Sequence, residues 1–217
     1  MRMVLAVLVA AGGLVVAAPA AAEPETCPPT CDRIPDSAWI ASWAIPLNSR
    51  YAWPQLAGLS VTATAPRFRF EELCLSPPVV QDPRAYVVAE KAVVVNPEGQ
   101  WQLQALVLHW RGETWRGGQL AEDVFNTTLA ALRSCQRTNP AGSPSLTTLE
   151  PDRMAAVVSG PLILHQYLLA NPANSTITEL ALWSTAPPLT AWPAPGDDTV
   201  LDALGAPLCT AYIGSCA

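Results

Sequence analysis

Few side chains in this sequence have the type and spacing to do chemistry. The densest group is LHWRGETWRGGQL, residues 108 to 120, where Trp-Arg-Gly occurs at 110–112 and again at 115–117. Indole faces stack on sugar rings, and guanidinium forks grip carboxylate or phosphate. Trp110, Arg111, Trp115 and Arg116 on one lip would therefore suit an anionic glycan or glycolipid. In the alternative reading each Arg lies across a Trp face, Glu113 pairs with one Arg, and the motif is packing. Packing is the expected outcome. Gly112, Gly117 and Gly118 let the backbone bend tightly here or approach a ligand closely.

Catalytic machinery is harder to find. The imidazoles are His109 and His165, both inside strand-like runs, where a lone His is expected to be a structural hydrogen-bonding residue. His109 and Glu113 have the spacing of a helical metal pair, but a strand end and turn would not hold that geometry. Ser159 in VVSGP lacks the glycine frame of a nucleophile elbow. No P-loop or dinucleotide fingerprint occurs, and neither cofactor nor metal is expected. Glu71 and Glu72, read as strand neighbours, would point to opposite faces and could not work as a pair. Asp197 and Asp198 read as the start of a helix. With nucleophile, base and oxyanion donors all missing, the expected role is non-catalytic.

The location is more legible. MRMVLAVLVAAGGLVVAAPAAAEPE has a positive start, an apolar run and the small residues Ala20-Ala21-Ala22, so residues 1–22 read as a cleaved export signal, with an uncleaved anchor as the alternative. Six cysteines then remain, at Cys27, Cys31, Cys74, Cys135, Cys209 and Cys216. An even count in an exported chain reads as disulfides. Six cysteines allow 15 connectivities, and the sequence does not choose among them. The favoured one pairs Cys27 with Cys31, Cys209 with Cys216, and Cys74 with Cys135, the last contributing roughly 4 kcal/mol by closing a long loop. Cys27-x3-Cys31 resembles half a zinc clip but has no second close pair to complete it. Without the signal the charge is 11 − 18 = −7, which favours neither nucleic acid nor an anionic membrane surface.

The elements that must position these residues follow from pattern. Residues 23–58 hold six prolines with Trp39, Trp43, Tyr51 and Trp53, which suggests an extended arm whose rings are buried. The domain is expected over 59–217. LSVTATA (59–65) and FRFEELC alternate like strands. Residues 85–95 and 101–110 form a hairpin around Asn96-Pro97-Glu98-Gly99, with one face solvated. A helix is expected over 117–136, with Glu122 and Asp123 in its first turn. Strands follow at 145–149, 154–159, 162–170 and 176–184, and a last helix near 197–212 is capped by Asp197 or Asp198. The class is α+β: a mainly antiparallel sheet with two flanking helices, stabilised by disulfides behind a Pro/Trp-rich arm.

In FRFEELC ending at Cys74, FNTTLAALRSC ending at Cys135, the LILHQYLLANPANSTITELALW hairpin and the helix with Cys209, the chain resembles a family of exported actinobacterial proteins. The family includes the extracellular sensor domain of the mycobacterial kinase PknH. The resemblance implies an antiparallel sheet flanked by helices, internal disulfides and a ligand cleft, and transfers no catalytic residue. The expected function is an exported, non-catalytic ligand-binding or sensing domain at the cell envelope, with a small molecule or glycan as ligand and the protein partner open. A secreted interaction domain is the first alternative. A hydrolase with an unrecognised site is the second.

Overall fold

The computed structural model describes Glu25–Thr26 and residues 32–216. The signal segment and the expected Cys27–Cys31 pair lie outside the described residues. In chain order the elements are β1 (Glu25–Thr26), α1 (Asn48–Tyr51), β2 (Val61–Thr62), α2 (Arg69–Leu73), β3 (Val88–Val94), β4 (Gln102–His109), α3 (Thr114–Arg133) and α4 (Cys135–Thr138). They continue with β5 (Ser143–Leu149), β6 (Arg153–Ser159), β7 (Leu162–Asn171), β8 (Thr176–Thr185), α5 (Asp197–Ala211) and β9 (Tyr212–Ile213).

Among the described residues, seven strands form one sheet in the order β2-β3-β4-β8-β7-β6-β5, and every pairing in it is antiparallel. The fold is α+β. The β3–β4 hairpin turns where Gly99 takes φ 79° and Gln100 N–H closes on Pro97 O at 3.1 Å. From β4 the chain leaves through α3 and α4 to the far edge. It then walks back as a meander until β8 pairs with β4, from Gln102 opposite Trp183 to His109 opposite Thr176.

Two cores cover the two faces. On one, α3 buries Ala121, Val124, Phe125 and Leu132 against Leu106, Leu108, Leu164 and Ile177. On the other, α5 buries Val200, Leu201, Leu204 and Leu208 beside Ile34, Trp39, Ile45 and Trp53 of the N-terminal segment. β4 is therefore buried on both faces, Gln104 included. The face expected to be solvated, that of Gln104, is covered by α2 and α3 instead, while the aromatic N-terminal segment and α5 cover the opposite face with Trp101, Leu103 and Ala105.

Three local expectations also change. FRFEELC is not a strand: Phe68 N–H is taken by the Glu71 carboxylate at 2.8 Å, a helical turn starts at Arg69, and Cys74 N–H closes it on Phe70 O. The alternation came from Phe68 and Phe70, both fully buried but only one of them inside the helix. LSVTATA is a strand only at Val61–Thr62, since the chain turns at Ala65 with φ 50°. Gly196, not an aspartate, precedes α5, and Asp197 and Asp198 fall in its first turn, where their charge still suits the helix dipole.

Cys74–Cys135 joins the end of α2 to the start of α4, and Cys209–Cys216 closes the C-terminus, both as expected. No helix among the described residues is long and apolar enough to cross a membrane.

On the sheet face under α2 and α3, β8 carries a buried carboxylate. Glu179 of β8 is fully enclosed and accepts from Gln104 Nε2 at 2.9 Å, Gln166 Nε2 at 3.0 Å and Arg69 N–H at 2.6 Å. Burial pushes its pKa up to about 7 against the pull of these donors. A carboxyl raised in the fold keeps its proton while the unfolded chain has lost it. Stability therefore falls as pH rises from the ordinary Glu value through about 7. Melting temperatures at pH 5 and pH 7.5 should show a larger loss for the wild type than for Glu179→Gln, which has no proton to lose.

Candidate functional site

The Trp-Arg-Gly corner folds in a way neither reading anticipated. Trp110 is 2 % exposed, its N–H bonds Ser175 O at 3.0 Å, and its indole donates to Pro83 O at 3.2 Å. Gly112 takes φ 91° and starts the turn into α3, which begins at Thr114. Trp115 stands exposed on the first turn of that helix, with its indole N–H on the Glu113 carboxylate. Arg111 and Arg116 are exposed. Trp110 is thus no part of a surface lip. Among the described residues, the guanidinium–ring stacks are Arg69 over Trp183 and Arg84 over Phe68, not the expected pairs.

What the repeat supplies is glycine. The helix starts before Gly117 and Gly118 because both face the β7–β8 turn. A Cβ on Gly117 would lie 2.5 Å from Ser175 Cβ, and one on Gly118 would lie 2.5 Å from Pro172 O. In a helix interior Ala normally gains about 1 kcal/mol over Gly. Gly118→Ala should reverse that sign and lower the urea midpoint, since the neighbour that must move is backbone.

A cavity lies in the segment between β2 and β3, and sequence inspection missed it. Pro66, Pro77 and Pro78 interrupt any ladder here, and Ala65, Leu75 and Gln81 take left-handed φ of 50°, 54° and 57°. Such conformations persist in non-glycine residues only when the surroundings fix them. The fixing groups are visible. The Cys74–Cys135 bond anchors the end of α2, where Thr138 Oγ1 donates to Cys74 O at 2.6 Å and Asn139 Nδ2 to Leu73 O at 2.7 Å. Further on, Arg84 is 6 % exposed and forks onto Glu71 at 2.6 and 3.0 Å, while it also binds Asp82 at 2.7 to 3.1 Å.

Burial alone would lower the Arg84 pKa, but its bonds to Glu71 and Asp82 overcome this and raise it. Burial likewise pushes Asp82 up, and Arg84 holds it below the usual carboxylate range. Trp110 backs the loop from behind through Pro83.

The cavity so framed encloses about 300 Å³, with Pro66, Pro77, Pro78, Val79 and Ala85 on its walls. Its polar lining is Arg67, Asp82 and Arg84. Arg84 is saturated by two carboxylates. Arg67 is half-buried and gives one bond, from Nη2 to Ser76 O at 2.5 Å, with no carboxylate within ion-pair distance among the described residues. Its remaining N–H groups and charge stand at the wall. Leu75, Val80 and Tyr86, each two-thirds or more exposed, adjoin the lining residues in the chain. The signals available in sequence were the Pro-Pro pair and Asp82-Pro83, which places Asp82 where its carboxylate accepts Arg84 N–H at 2.9 Å.

The imidazoles sit elsewhere. His109 is fully buried, with Nδ1 3.2 Å from Thr176 Oγ1 and its ring stacked on Tyr212. His165 stacks on Trp192 at 3.7 Å, and burial lowers its pKa to about 4 although the Asp197 charge acts in the other direction. It is therefore neutral at physiological pH. Glu71, read in sequence as one of two idle neighbours, is the buried partner of Arg84, while exposed Glu72 pairs with Arg69.

Removing one partner of a buried ion pair leaves the other charge uncompensated, at a cost of about 3 kcal/mol or more. Arg84→Met should lower stability by that order in urea unfolding. Adding Glu71→Gln in the same chain should restore a large part of it.

A scan against models of protein families finds no match to this chain, and a search of curated proteins finds none either.

Proposed function

We propose that the chain is an exported, non-catalytic domain that holds a small amphipathic ligand at the cell envelope. The observation that carries this reading is the proline-walled cavity, preformed by the Arg84–Glu71–Asp82 cluster and lined by Arg67, which forms no ion pair among the described residues. Apolar walls with a few fixed polar groups are the usual build of a ligand site, and 300 Å³ is at the small end of the range. The apolar walls suit a short chain or ring, and Arg67 suits one anionic or hydrogen-bond-accepting head. Export is supported by the signal-like first 22 residues and by the two disulfides, which oxidising compartments preserve. The likeness in layout to extracellular sensor domains points the same way.

A second reading has one observation behind it. Leu75, Val80 and Tyr86 put exposed apolar surface beside the lining residues, as a protein-interaction domain would.

Dodecanoate and dodecanol, titrated calorimetrically against the purified chain, separate the two. Ligand binding predicts saturable one-to-one uptake of dodecanoate, weakened about tenfold by Arg67→Met and abolished by Val79→Trp, which fills the cavity. Dodecanol should bind more weakly than dodecanoate to the wild type and equally to Arg67→Met. Uptake that survives in a Val79→Trp chain of unchanged melting temperature would place the ligand elsewhere. No uptake, with the exposed rim protected by a co-purifying protein, would favour the interaction domain.

A further inference from the structure

The most exposed tryptophan on the molecule lies far along the chain from the cavity, in the N-terminal segment. Trp43 is 80 % exposed, yet its backbone is fixed. It belongs to a 3-10 turn, Ser42–Ala44, closed by Ala44 N–H on Ala41 O at 2.9 Å and Ile45 N–H on Ser42 O at 3.2 Å. Ser42 Oγ ties the turn to Pro54 O at 2.7 Å, and Trp39 and Ile45 anchor its two sides in the core. A rigid turn that holds a whole indole in solvent serves no packing need.

Trp43 forms a ridge between two grooves. One, of about 270 Å³, is lined by Asp36, Ser42 and Gln55; the other, of about 320 Å³, by Ala203, Ala206, Pro207 and Thr210 of α5 and its neighbours on the ridge. Trp39 lines both, and its indole N–H is buried with no acceptor. Asp36 and Gln55 make no hydrogen bond among the described residues and offer a carboxylate and an amide. Among the described residues, no Lys or Arg lines either groove. The chemistry therefore excludes an anionic head and differs from that of the proline-walled cavity.

We infer that Trp43 is a stacking platform for a neutral glycan chain. One pyranose ring lies on the indole face. Its hydroxyl groups donate to Asp36 and meet Gln55, and the next ring continues along the α5 groove. The site is independent of the proposed cavity and stands or falls apart from it.

The test titrates the full secreted chain with four neutral oligosaccharides, maltohexaose, cellohexaose, mannohexaose and chitohexaose, by calorimetry and tryptophan fluorescence. Saturable binding of at least one is expected. Trp43→Ala should weaken it about tenfold or more, Trp43→Phe by less, and Asp36→Asn measurably. Trp115→Ala, which removes the other exposed indole, should leave it unchanged. Trp43 is exposed, so its variants should keep the wild-type melting temperature. Binding that survives Trp43→Ala overturns the proposal, as does failure of all four sugars to bind. A Trp43→Ala change in sedimentation or in vesicle binding, without sugar binding, also overturns it and assigns the indole to protein or membrane contact.

Discussion

The pairing of β4 with β8 is the constraint on which the rest of the molecule depends. It joins the hairpin of the first half to the meander of the second and puts both strands in the middle of the sheet, under cover on both faces. Because β8 arrives last, the chain between the two strands must travel out to the far edge and return. α3 is that excursion, and its glycine pair lets it lie close against the turn that leads into β8. The Cys74–Cys135 bond then fixes the end of the excursion to the segment before β3. The cavity segment is held between these two ties, which is why it can keep three left-handed non-glycine residues.

A central strand covered on both sides ought to be apolar throughout, and β8 is not. Glu179 sits at its middle with Gln104 and Gln166 on the flanking strands, all on the face under the helices. Together with Arg84, Glu71 and Asp82 it makes the region below α2 a polar core with defined partners, not an oily one. Such groups add little net stability over apolar packing, and each demands its own geometry. The result is a segment whose shape is set by directional bonds, as a preformed cavity requires.

The two halves of this arrangement differ in how readable they were. The meander, the hairpin and both long helices follow from periodicity and turn residues, which are local signals, whereas the cysteine count implied disulfides without choosing their partners. FRFEELC misled because two buried phenylalanines two residues apart look the same whether a strand continues or a helix begins between them. The expected helix began at Gly117 whereas α3 begins at Thr114, and only the neighbouring turn shows why the glycine pair lies inside it. The Arg84 cluster and the Trp43 ridge were out of reach, since each depends on which distant residues fail or succeed in covering a side chain. A lone Glu inside TITELALW was a clue to the polar core, but nothing local named its partners.

The two free edges of the sheet have a further consequence. At one end β2 offers two residues; at the other, β5 carries Pro144 and loses register between Leu146 and Thr148. A short strand, a proline without an N–H and a bulge are the features that stop a sheet from accepting another strand. The longest strands, β7 and β8, are confined to the interior of the sheet. A second copy meeting this molecule edge to edge finds no ladder to extend, so the sheet is closed to growth without being closed into a barrel.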